Sequence, residues 1–104
     1  MMDIDTQRQR LLALAHDLED RQAQLARHGR DGVPADFAEQ ATARENDEVV
    51  VSLERQVEAE LAQVRAALAR IEQGRYGHCT QCGAAIAAAR LAALPYAATC
   101  TACA

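Results

Sequence analysis

The fold class that this 104-residue sequence predicts is mainly α: an antiparallel two-helix coiled-coil hairpin attached to a small C-terminal four-cysteine module. Three observations predict it. Apolar residues recur at helical spacing over two long stretches. A short segment with two glycines and a proline separates those stretches. Four cysteines, in two C-x-x-C pairs, crowd the end of the chain.

The first helix is expected from about Asp3 to Arg27. Ile4, Leu11, Leu18 and Leu25 follow one another at intervals of seven, and Leu14 takes a d-type position. Leu12 and Ala15 widen the stripe. This is the pattern of an amphipathic helix with a coiled-coil seam. Arg21 stands where another d residue belongs and weakens the seam there. The stretch "HGRDGVPAD", residues 28–36, ends this helix and starts the next. Asp36 is the expected N-cap, with Glu39 three residues on as in a capping box. The second helix is expected from about Asp36 to Gln73, stopping at Gly74. Its stripe is Val50, Leu53, Val57, Val64, Leu68 and Ile71, and no Gly or Pro interrupts it. At the helical rise per residue the two helices would span about 38 and about 57 Å. The short connection makes them antiparallel neighbours. Residues 1–73 are therefore expected to form the hairpin, with its tip at about 28–41, and residues 74–104 the cysteine module.

Composition narrows the function. Half the residues are hydrophobic, but there is no Trp, one Phe and two Tyr, and alanine supplies much of the remainder. Without a thick aromatic core, stability must come from helix pairing or a staple. Eleven basic residues, all arginine, face fifteen carboxylates, for a net charge of −4. A protein that grips a nucleic-acid backbone needs a basic surface, so direct DNA binding is not expected. No secretory signal is visible and none is expected, and no run nears the roughly 20 apolar residues of a membrane helix. The expected location is the cytoplasm, where clustered cysteines favour metal ligation over disulfides.

The cysteines read Cys79-x2-Cys82, then seventeen residues, then Cys100-x2-Cys103. Zinc favours four tetrahedral ligands, thiolates among the best of them. Each C-x-x-C turn sets two sulfurs on one side of a tight loop, and Gly83 can take the left-handed backbone such a turn needs. Two turns close the tetrahedron and leave no position for water or substrate, which describes one structural zinc rather than a catalytic one. Disulfides, a redox C-x-x-C and an iron–sulfur cluster are the alternatives; no βαβ pattern accompanies the pairs. Four thiolates on a divalent ion carry a net −2, which Arg75 and Arg90, near in sequence, could offset. His78 reads as a surface residue, and His16 and His28 as solvated. Between the pairs, "AAIAAARLAALPYAA" suggests a helical turn ended by Pro95. Ile86, Leu91, Leu94 and Tyr96, with Tyr76, would cover the metal in a core that needs it to fold. No histidine–carboxylate constellation suggests catalysis, so an enzyme is not expected.

The stretch "IEQGRYGHCTQCGAAIAAARLAALPYAATCTAC" resembles the DksA/TraR-type C4 zinc-finger family of bacteria. That family's pattern is a helix ending I-E-x-G, then Y-G-x-C-x-x-C-G, an isoleucine, R-L-x-A-x-P and C-x-x-C. The resemblance runs at least from Asp36 to Cys103. It implies a non-enzymatic regulator that binds RNA polymerase at the rim of its secondary channel. The hairpin would reach toward the active site and alter initiation without binding DNA. The family's tip motif D-x-x-D-x-A corresponds here to "DFAEQA", that is Asp36, Glu39 and Ala41. Glutamate replaces the second aspartate and moves that carboxylate out by one methylene. Arg90, in the R-L motif, is a candidate polymerase contact. The positions at which basic side chains would hold ppGpp fall on Gln63, Leu94 and Ala104. None is basic, and a diphosphate wants Arg or Lys, so no ppGpp response through that site is expected. A zinc-ribbon protein–protein adaptor, or a degenerate paralogue that binds polymerase without strong regulation, are the alternative readings.

Overall fold

The computed structural model describes residues 3–31 and 43–104. Two long helices, α1 (Ile4–Asp31) and α2 (Ala43–Glu72), lie side by side, and a short α3 (Ala88–Ala93) sits between the cysteine pairs. They run antiparallel: Arg8 near the start of α1 faces Glu72 at the end of α2, and Glu19 faces Arg65. Among the described residues there is no strand, only one isolated antiparallel bridge between His78 and Ala85. The molecule measures 55 × 26 × 20 Å.

Local chemistry sets the helix ends. Asp3 caps α1, its carboxylate accepting from the Asp5 N–H at 3.1 Å and the Thr6 hydroxyl at 2.6 Å. The Thr6 bond, with help from the two N–H groups, holds the Asp3 carboxyl below its ordinary value. α1 runs to Asp31, past the expected end at Arg27, so Gly29 does not stop it. One glycine costs a helix about 1 kcal/mol, too little to break 28 residues in which each added residue gains a hydrogen bond. The expected start of the second helix at Asp36 lies outside the described residues. Its end agrees with expectation. Gly74 adopts φ 70°, and paired bonds from Gly74 N–H to the Ile71 carbonyl (3.1 Å) and Arg75 N–H to the Arg70 carbonyl (2.8 Å) close a Schellman turn.

The core is one continuous cluster. Leu11 and Leu18 of α1 are fully buried against Leu61, Val64 and Ala67 of α2, and the cluster continues through Ile71 into Tyr76, Ile86, Leu91 and Ala97. Leu61 and Ala67 were not in the expected stripe, yet both are buried in the seam. Several expected stripe residues face water instead: Ile4, Leu12 and Leu53 are exposed. Leu12 points off the seam established by its neighbour Leu11. Leu53 borders a groove of about 300 Å³ with Arg21, Leu25 and Val57. Arg21 lines that groove without filling it: its side chain turns to solvent and pairs with Asp17 at 3.3 Å.

Candidate metal centre

Two short knuckles build the centre, both stapled by backbone bonds. In the first, the Cys79 N–H donates to the Ala84 carbonyl (2.7 Å) and the Gly83 N–H to the Cys79 carbonyl (2.9 Å). Gly83 has φ 78°, a conformation that strains any residue with a Cβ. In the second, the N–H groups of Cys103 and Ala104 both donate to the Cys100 carbonyl, at 3.1 and 3.0 Å. A bond from the Thr80 N–H to the Ala98 carbonyl (2.9 Å) ties the knuckles together.

This folding brings Cys79, Cys82, Cys100 and Cys103 together, with all four Sγ atoms within 4.8 Å of one another. Cys82 Sγ and Cys100 Sγ, from different knuckles, are 3.7 Å apart. Four sulfurs tetrahedrally placed around zinc would be about 3.8 Å apart, so the cluster has the size of one four-thiolate ion site. Cys79 is buried, Cys100 half-buried, and Cys82 and Cys103 exposed. The N–H groups of Cys100 and Cys82 aim at the Cys79 sulfur and pull its thiol down to about 6. Hydrogen bonding to Cys100 and the other sulfurs pushes the Cys103 thiol up to about 12. Cys79 and Cys100, both held below the ordinary thiol value, are the sulfurs readiest to ligate a soft divalent cation.

Both arginines of the base are held by hydrogen bonds. Residues 74–104 carry two arginines and no side-chain carboxylate. Arg90 is half-buried, and its Nε donates to the Thr99 carbonyl at 3.0 Å, bracing the residue before Cys100. Arg75 is held by the Gln73 amide oxygen, which its Nε reaches at 3.2 Å. His78 is exposed, as expected, and so is His16. Tyr76, Ile86 and Leu91 are buried over the base, and Tyr96 is half-buried with its hydroxyl on Glu60 at 3.2 Å. Burial and the Glu60 carboxylate push the Tyr96 phenol up, so it keeps the proton it donates.

Leu94 corrects the expected core. It is 38% exposed, and the adjacent Pro95 is buried instead. Leu94 ends α3, where its N–H bonds the Arg90 carbonyl at 2.7 Å, and that turn swings its side chain outward. Gln63, Leu94 and Ala104 are all exposed. Gln63 and Leu94 line a cavity of about 240 Å³ that Arg70 and Arg90 also border. The tip residues Asp36, Glu39 and Ala41 lie outside the described residues.

Sequence reasoning missed Gln7. It is buried at 5% exposure, and its amide donates to the Tyr76 hydroxyl at 3.0 Å and the Leu91 carbonyl at 3.1 Å. Its position one turn before Leu11, on the seam face, was the available signal.

A helical hairpin standing on a closed four-cysteine site defines a C4-type zinc-finger protein with a projecting rod. Residues 5–71 match the family model for the DnaK suppressor protein-like N-terminal domain. Residues 74–104 match the prokaryotic dksA/traR C4-type zinc finger. The chain belongs to the DksA/TraR family, and its cofactor is the single zinc ion that four such cysteines hold. Its fold is similar to that of transcription factor DksA2 from Pseudomonas aeruginosa, with a TM-score of 0.81 and 27% identity over 96% of this chain and 78% of that one. No curated protein sequence matches the chain.

Proposed function

We propose that this protein is a DksA-type transcription regulator that binds bacterial RNA polymerase and reaches into its secondary channel with the hairpin. The carrying observation is the likeness to transcription factor DksA2 over 96% of the chain, hairpin and metal base together. The base docks on the channel rim, with Arg90 as a contact where its guanidinium is still accessible. The molecule is 55 Å long and no more than 26 Å across, and its hairpin is only two helices thick, a shape suited to entering a channel. It carries Asp36, Glu39 and Ala41 inward, where the carboxylates meet basic polymerase groups or disturb moving elements near the active site. Promoter choice then follows from the intrinsic stability of each promoter complex.

Neither DNA nor ppGpp is needed for this action. All fifteen side-chain carboxylates lie within residues 1–73, so the rod repels nucleic-acid phosphate. The cavity beside Gln63 and Leu94 is bordered by Arg70 and Arg90, each with one nitrogen on a backbone carbonyl, of Tyr96 (3.3 Å) and Thr99 (3.0 Å), while Gln63, Leu94 and Ala104 themselves supply no cation for a diphosphate.

The test is co-purification of the full chain with core RNA polymerase, with a photocrosslinking residue at Phe37 or at Thr101. The expected result is crosslinking to the channel interior from Phe37 and to the rim from Thr101. Absence of co-purification rejects the reading in favour of an adaptor for another protein. Correct crosslinks with no effect on transcription identify a degenerate paralogue.

A further inference from the structure

The junction between rod and base is joined in two physically different ways. The apolar cluster that runs from Leu11 to Leu91 holds the parts together, but hydrophobic burial has no direction. The same residues stay buried over a range of tilts. Hydrogen bonds do have direction, and their strength falls steeply off axis.

The end of α3 and the turn after it present backbone carbonyls: those of Leu91 and Ala92, in the last turn, which lack an intrahelical partner, and those of Pro95 and Tyr96 just beyond the helix. Side chains from elsewhere meet four of them. Gln7 Nε2 donates to the Leu91 carbonyl at 3.1 Å, and Arg10 Nη2 to the Ala92 carbonyl at 2.7 Å. The Tyr76 hydroxyl donates to the Pro95 carbonyl at 2.8 Å, and Arg70 Nη2 to the Tyr96 carbonyl at 3.3 Å. Gln7 also donates to the Tyr76 oxygen (3.0 Å) and receives Arg10 Nη1 on its own oxygen (2.9 Å). Gln7 and Arg10 belong to α1 and Arg70 to α2, so both helices grip one segment of the base.

We propose that Gln7, Arg10 and Arg70 form a three-point clasp that sets the direction of the rod relative to the metal base, with Gln7 as its central positioning residue. Three contacts from two helices onto one segment remove the tilts that apolar packing permits. Direction matters because the rod is a long lever. A tilt of about 10° at the base would carry the far end of a helix the length of α2 sideways by about 8 Å. The functional consequence rests on the channel reading above; the clasp itself does not.

The experiment measures residual dipolar couplings of backbone amides in the free, zinc-loaded full chain, so it needs no polymerase. In the wild type, one alignment tensor should fit the couplings of α1, α2 and residues 74–104. Gln7→Leu keeps the volume and removes the donors. Its helical circular dichroism and zinc content should stay at wild-type levels, while the couplings of 74–104 depart from the tensor of the helices. Arg10→Gln changes an exposed side chain, leaves the buried core untouched and should show a smaller departure of the same kind. It also decides the matter if Gln7→Leu does not fold. If the folded variants fit a single tensor as well as the wild type does, packing alone fixes the angle and the clasp is refuted.

Discussion

Leu91 and Leu94 stand three residues apart in the base, and either could have covered the metal centre. Leu91 is fully buried and Leu94 is 38% exposed. Truncating a fully buried leucine to alanine costs about 2–5 kcal/mol, the larger values where the cavity cannot collapse. The base is small and has room to relax, so about 3 kcal/mol is the appropriate figure for Leu91→Ala. Leu94→Ala removes a side chain already largely in water and should cost about 0.5 kcal/mol. In a module whose metal binding and folding are coupled, a loss of folding energy becomes a loss of metal affinity. At about 1.4 kcal/mol per tenfold, Leu91→Ala should weaken zinc binding by about two powers of ten, and Leu94→Ala by about twofold. Competition with a chromophoric chelator of known affinity reads this directly, with thermal unfolding of the zinc-loaded forms alongside. Equal weakening by both variants, or a larger effect at Leu94, would refute the packing account of the base.

Three other perturbations separate the remaining contributions. Tyr76→Phe leaves the Pro95 carbonyl without its donor and takes one acceptor from Gln7; the expected loss is about 1–3 kcal/mol in denaturant unfolding. Arg21→Leu replaces an exposed arginine at the groove with an apolar side chain beside Leu25, Leu53 and Val57, giving up only a surface pair with Asp17, and should stabilise the chain by about 1 kcal/mol in the same unfolding measurement. Asp3 gives a pH dependence of known sign. Its carboxyl is held below its ordinary value by Thr6 and the helix N–H groups, so its support of the first turn is complete above that ordinary value and is lost as pH falls through the lowered one. Amide exchange at Asp5 and Thr6 should show loosening at low pH in the wild type, and loosening already at neutral pH in Asp3→Ala.

How much of this was legible in the sequence depends on the range of the interaction. The heptad spacing of Leu11 and Leu18, and of Val57, Val64 and Ile71, is a local pattern, and those residues form the seam. The cysteine spacing and Gly74 are equally local, and they marked the metal centre and the end of α2 correctly. Arg21 was legible as a weak point, and the groove lies beside it. Leu94 failed because one turn of backbone decides which of two adjacent apolar residues faces inward, and Pro95 took the buried place. Gln7 failed for a different reason. Its value lies in a hydroxyl 69 residues away and a carbonyl 84 residues away, and no periodicity in α1 announces acceptors that only the tertiary fold supplies. The same holds for Arg10 and Arg70, which look like solvated surface charges until the base is placed against them.

The claim at the centre is that the hairpin's acidic tip acts inside polymerase. Asp36→Asn tests it in the full-length, zinc-loaded chain, because asparagine caps a helix about as well as aspartate but carries no charge. The measurement is transcription in vitro from a promoter that the wild-type protein regulates, with polymerase binding quantified on the same samples. The account predicts unchanged helicity, zinc content and polymerase affinity, and an effect on transcription reduced toward that of polymerase alone. Regulation by Asp36→Asn equal to that of the wild type would contradict it.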